Sequence, residues 1–279
     1  MLFHVCSFPF VLTVIFFEKM QHCDFVELIA TVARRMYMCG AETRLIIQTS
    51  ERIAVAFGYK AVVIVNSCEI SVKLLYCESE DLSKQKECTT FMRIDGHGID
   101  MNRLIFYTHL CQDAEQGIIT PEELQEKLEH IPQFPYSRTL LVIAVGIATA
   151  AYSAINGGNL AACVTALIAG AVTMTAKELL KKYHLFEMFV FTICGMISTL
   201  SSFYIGNCIF ELDKYNLAIA MVVSLLILVP GFQFVNGILD LFKGYTAVGA
   251  TRLINTVMLI ASVCLGIMIA FSMLPINNL

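Results

Sequence analysis

The second half of the chain is a succession of long apolar runs. No charged residue occurs from Thr139 to Ala176, a stretch of 38 residues. That is too long for one membrane span of about 20 residues and suits two. Asn156-Gly157-Gly158-Asn159 supplies the turn between them. Further uncharged runs cover Met188–Phe210, Tyr215–Leu239, which Pro230-Gly231 interrupts, and Leu253 onward. The pattern predicts five spans at about 139–155, 160–176, 188–207, 216–231 and 253–274. The first half alternates differently. Asp24 precedes Phe25, Leu28, Ile29, Val32, Met36 and Cys39 at helical spacing, with Gly40 as the stop. A second helix is expected from Ala41 to Phe57. Ala61–Val65 is a continuous apolar run, expected as a strand buried on both faces. Ile70, Val72, Leu74 and Tyr76 alternate with polar residues as in a half-exposed strand. Residues 78–87 read as a hairpin loop and 88–94 as a third strand. A helix follows over about 100–116. Thr120-Pro121-Glu122-Glu123 starts another, with Thr as N-cap, Pro at N1 and Glu at N3. The expected fold is therefore a membrane protein: a small cytoplasmic α/β domain (20–135), then an α-helical bundle of five transmembrane helices (136–279).

Charge sharpens the division. Only 15% of the residues are charged and 57% are hydrophobic, whereas soluble domains carry about 25% charge. Residues 139–279 hold six Lys/Arg and five Asp/Glu, against 13 and 18 before them. No basic face points to nucleic acid. The basic residues of the apolar half sit mainly in two connections, at Lys177, Lys181 and Lys182 and at Lys243 and Arg252, while the opposite connections hold only Lys214. This bias puts the polar domain in the cytoplasm and the C-terminus outside. The eleven cysteines include no C-x-x-C and form no even, tightly spaced set, so reduced thiols are expected and a structural metal site is not. Residues 1–19 are apolar but lack a basic n-region and a clear cleavage site. They read as a leader of doubtful status.

Three constellations carry candidate chemistry. Gly40-Ala41-Glu42-Thr43-Arg44 joins the first two helices; Glu42 and Arg44 contact a ligand or partner there, or simply charge a helix–helix turn. Asp95, His97 and Asp100 form a sequence-local acid–histidine group, without a nucleophile motif beside it. Pro230 and Gly231 should break the fourth span and leave backbone groups without partners. Broken helices in lipid line polar cavities. Gln233, Asn236 and Asp240, with Arg252 and Asn255 at the start of the next span, are then candidates for a solute or ion path. Asp240 is expected to take a proton or an amine, and Arg252 a carboxylate. Ala162, Ala166 and Gly170 form a small-residue stripe that suits close helix packing and offers a face for assembly.

The order of Gly40-Ala41-Glu42-Thr43-Arg44, Gly98-Ile99-Asp100, five spans, Val229-Pro230-Gly231 and Asp240 resembles the threonine/serine exporter family over about residues 24–270. The resemblance implies proton-driven export of a small carboxylate-bearing metabolite: threonine and serine for fused members, a dicarboxylate such as succinate for split ones. Fused members carry a second membrane unit. This sequence looks like the larger subunit of a split pair, whose partner is a small multi-span protein of the bacterial inner membrane. It implies no cofactor and no catalysis, and no phosphate-binding loop is present. Two other readings stay open: a membrane-tethered enzyme acting through Asp95, His97 and Asp100, and a regulatory membrane subunit without its own solute path.

Overall fold

The computed structural model describes residues 22–77, 85–94, 96, 98–130, 137–183 and 185–274. The 1–19 leader, Asp95 and His97 lie outside the described residues, as does most of the expected 78–87 loop. The chain divides into two compact units, Met1–Phe134 with Asn236–Thr251, and Pro135–Val235 with Arg252–Leu279.

In the first unit, α1 (His22–Met38) and α2 (Thr43–Ala56) precede a three-stranded antiparallel sheet in the order β1 (Lys60–Val65), β2 (Glu69–Cys77), β3 (Gln85–Arg93). Helices α3 (Met101–Glu115) and α4 (Pro121–Glu129) follow. The apolar spacing of α1 is used in full: Phe25, Ile29, Val32 and Met36 are buried with Ile46 and Ile53 of α2 and Ile70 and Leu74 of β2. Phe25 stacks on Tyr59 at 4.6 Å and meets Phe57 edge-on at 5.7 Å. Val248 joins the same core. The expected capping box of α4 is present, with Thr120 and Glu123 bonding each other's backbone amides.

Two strand expectations need correction. β1 is not covered on both faces: Ala61, Val63 and Val65 are buried, but Val62 and Ile64 are exposed. An apolar run cannot by itself separate a two-sided from a one-sided strand, and here Phe91 of β3 is exposed as well. β3 begins three residues earlier than expected, so 85–87 pair with β2.

The second unit holds α5 (Arg138–Ile155), α6 (Leu160–Lys181), α7 (Glu187–Tyr204) with a π-helical extension Ile205–Ile209, and α8 (Lys214–Leu225) with a 3₁₀ turn Leu226–Leu228. Helices α9 (Gly231–Phe242) and α10 (Thr246–Met273) complete the described chain and contribute to both units. Among the described residues, four helices are long and apolar enough to cross a membrane, and up to five spans result if α8 and α9, bent by 58°, count as one broken span. The small-residue stripe of α6 is consumed inside the unit. Ala162 and Ala166 are fully buried. A Cβ on Gly170 would sit 2.5 Å from Thr149 Oγ1, which itself donates to Ala166 O at 2.9 Å. The stripe therefore packs inside the unit, Gly170 against α5 and Ala162 and Ala166 among buried residues of the later helices, and is not a free face for assembly.

Candidate functional site

Parts of the three motifs, Gly40–Thr43, Gly98–Asp100 and Asn236–Asp240, meet within the first unit. Helix α1 ends in a Schellman turn: Gly40, at φ 91°, donates to Tyr37 O, and Ala41 N donates to Met36 O. Glycine tolerates that left-handed backbone without a Cβ penalty. The turn leaves the Gly40 carbonyl pointing outward, and Asn236 Nδ2 donates to it at 2.9 Å. Glu42 then takes the N-cap position of α2 but makes no side-chain cap bond. The cap comes from far along the chain. Thr43 N donates to Asp240 Oδ1 at 3.2 Å and Thr43 Oγ1 donates to Asp240 Oδ2 at 2.9 Å. A helix N-terminus carries unsatisfied amides and a partial positive charge, so a carboxylate placed there is stabilised by both. Asp240 and Thr43 are each fully buried.

Asn236 and Asp240 are presented together because they lie four residues apart on α9, whose buried face is Asn236, Gly237 and Asp240. A second Schellman turn ends α9: Gly244 N donates to Leu241 O and Tyr245 N to Asp240 O, with Gly244 at φ 87°. The chain then reverses into α10. Gly249 permits the close return, since a Cβ there would lie 2.8 Å from Gly237 O. Lys243, one turn past Asp240, forms an ion pair with Glu42. Gly98-Ile99-Asp100 joins the same corner, with Gly98 N donating to Met38 O at 3.0 Å and Asp100 N to Cys39 O at 3.2 Å. Asp100 caps α3, accepting from Arg103 N at 3.0 Å. Burial, then the nearby Asp100 carboxylate, pushes the Cys39 thiol up to about 11, so it stays protonated.

The sequence-derived candidates thus divide. Gly40, Glu42, Thr43, Asn236 and Asp240 come together, and Arg44 lies beside them in sequence but is exposed. Pro230 and Gly231 mark the bend, and Gln233 is half-buried on α9. At the break, Val229 N donates to Leu226 O and Gly231 N to Val229 O, so tighter turns take up these two amides. Arg252 and Asn255 belong to the second unit, where Asn255 is exposed and Arg252 O accepts from Thr256 Oγ1 at 2.8 Å. Sequence reading missed Gly249 and the role of Lys243. Asn236, Asp240 and Lys243 recur at i, i+4 and i+7, a spacing that could have flagged Lys243; nothing comparable marks Gly249.

The Glu42–Lys243 pair is partly exposed, at 21% and 30% of the side-chain surfaces. Its contribution to stability should be at most about 1 kcal/mol. Glu42→Lys with Lys243→Glu should restore whatever either single change loses in efflux or thermal midpoint; a double variant no better than the singles means that the two side chains act separately.

Residues 27–274 match the family model described as "Putative threonine/serine exporter" (ThrE). Among curated proteins, the chain is 28% identical over 259 residues to the "Probable succinate transporter subunit YjjP" of Klebsiella aerogenes, covering 92% of this chain and 96% of that protein. It is 26% identical over 236 residues to the protein of the same description in Escherichia coli, covering 84% and 88%. An uncharacterized Haemophilus influenzae protein matches over 124 residues at 25% identity, 44% of this chain and 40% of that protein. No solved structure matches the chain.

Proposed function

The chain belongs to the threonine/serine exporter family, and on that premise we propose that it is one subunit of a secondary-active exporter of a small carboxylate-bearing metabolite, working with a second small multi-span membrane protein. The observation that carries the reading is Asp240. A fully buried carboxylate on the helix that follows a broken apolar span is costly to keep unless it is used or firmly held. In this reading Asp240 binds and releases a proton as the solute moves, Thr43 and Asn236 hold it in place, and Pro230 and Gly231 let the path open at the break. Gln233, Arg252 and Asn255 line that path, Arg252 meeting the solute carboxylate. Glu42 and Lys243 keep α9 on the motif that runs from Gly40 through Thr43 to Arg44.

The relatives' descriptions as succinate transporter subunits favour a dicarboxylate as the solute and the need for a partner. The family description keeps threonine and serine as the alternative solutes. The basic bias favours the inner membrane orientation with residues 20–135 in the cytoplasm, 136–279 as the membrane domain and the C-terminus outside.

Cells expressing the chain alone should export little succinate, threonine or serine, and co-expression with a small multi-span membrane partner should raise export of one of them several-fold. Reporter fusions at Asn159 and Leu279 should read outside, and those at Lys182 and Lys243 inside. Robust export by the purified single chain in liposomes would overturn the two-subunit reading, and a cytoplasmic C-terminus would overturn the span count.

A further inference from the structure

Away from the Asp240 corner, the first unit brings two cysteines into contact. Cys23, near the N-terminus of α1, and Cys88, in the middle of β3, lie with their Sγ atoms 3.1 Å apart, Cys88 donating to Cys23. They are 65 residues apart in sequence. Cys23 is exposed and Cys88 half-buried, and both are reduced. Their approach is fixed by the packing of helix on strand. Eight residues further along α1, Thr31 Oγ1 lies 3.7 Å from Met92 Sδ, four residues further along β3. Eight helical residues advance about 12 Å and four strand residues about 13 Å, so α1 runs along β3 in step and the two contacts reinforce each other. Cys88 pairs with Leu74 of β2 and packs against the helix-covered core, which fixes its side of the sheet.

We propose that Cys23 and Cys88 are an oxidisable dithiol, a modification site that a low-molecular-weight disulfide such as oxidised glutathione converts to an intramolecular disulfide. The exposed Cys23 thiolate attacks one glutathione sulfur and expels the other glutathione as a thiolate. Cys88 then attacks Cys23 Sγ, forming the protein disulfide and expelling the second glutathione. The protein loses two thiol protons and two electrons, and the oxidised glutathione becomes two reduced molecules. The order follows from the environments. The hydrogen bond to Cys23, then burial and the negative charge of Glu27, push the Cys88 thiol up to about 11, so it is the slower first nucleophile. Once Cys23 carries glutathione that hydrogen bond is gone, and Cys88 is already within reach of the sulfur it must attack. Closure needs the sulfurs to approach from 3.1 Å to the bond length of about 2.05 Å, which side-chain rotation supplies. The bond ties the start of α1 to β3 and so narrows the unfolded ensemble of the unit. Buried Cys39 and Cys111, the latter pushed up to about 12 by burial, stay reduced.

The test uses the full chain in membrane vesicles, fully reduced and then incubated with oxidised glutathione, quenched with acid, alkylated and digested for mass mapping. The expected product is a cross-linked peptide pair joining Cys23 to Cys88, lighter by two hydrogens than the two reduced peptides and abolished by dithiothreitol. Cys88→Ser should leave glutathione trapped on Cys23, and Cys23→Ser should leave Cys88 unmodified. Recovery of Cys23 and Cys88 from the oxidised wild-type protein in separate peptides, free or each carrying its own glutathione, overturns the proposal.

Discussion

Asp240→Asn should reduce export at least tenfold while leaving the protein in the membrane at close to the wild-type level. The carboxylate accepts from both the amide and the hydroxyl of Thr43. Asparagine keeps one oxygen for the amide, and its NH₂ can donate to the hydroxyl oxygen, so both contacts survive in neutral form. What disappears is the charge. Hydrogen bonds to a charged group contribute about 1.5–3 kcal/mol and neutral ones about 1, so the stability loss is modest. A proton carrier, by contrast, cannot function as an amide at all. Asp240→Ala separates the two effects: it strands the buried Thr43 amide and hydroxyl, each at a cost of about 1–3 kcal/mol, and should lower membrane accumulation as well as export. Thr43→Ser keeps both donors and should export normally, whereas Thr43→Val removes the hydroxyl and should weaken export partially. Wild-type export by Asp240→Asn would show that the charge is not needed. If Asp240→Asn instead fails to accumulate, Asp240 is a structural cap for α2 and nothing more.

The apolar helices were legible because a membrane imposes a simple constraint: backbone polar groups are satisfied within the helix and charges are excluded. The uncharged runs therefore delimit α5, α6, α7 and most of α10 within a few residues. Turn chemistry was equally plain at Asn156-Gly157-Gly158-Asn159, where Gly157 adopts φ 82° and Asn159 caps α6. What sequence could not give is pairing. Asp240 accepts two hydrogen bonds from Thr43, 197 residues away. No local periodicity encodes a cap supplied by another part of the chain. The same blindness made the α6 stripe look like an external face, because small-residue spacing says that something approaches closely without saying what. The π-helical turn at Ile205–Ile209 left no compositional trace either. The Gly40 turn, however, was marked by glycine itself, and with the Gly244 turn it orients both halves of the Asp240 corner.

Gly266→Ala should destabilise the membrane unit strongly. Helices α7 and α10 approach through reciprocal glycines. A Cβ on Gly195 would lie 2.9 Å from Val263 O, and one on Gly266 would lie 2.1 Å from Thr192 O and 3.0 Å from Met196 N. These neighbours are backbone atoms, so no side-chain rotation can relieve the clash. The helices must separate by more than an ångström, and that loosens the packing of Val190, Phe191, Cys194, Leu259 and Val263 around the contact. Lipid tails are as apolar as these side chains, so association here rests on close van der Waals contact and not on removing surface from water. Overpacking of this kind costs about 1–3 kcal/mol, which for a chain of this size lowers the thermal midpoint in detergent by roughly 2–12 °C. Gly231→Ala is the matched control. Nothing lies within 4 Å of the added methyl, and alanine favours helix over glycine, so that variant should melt at or above the wild-type temperature. Equal midpoints for Gly266→Ala and Gly231→Ala would mean that α7 and α10 do not pack through their glycines.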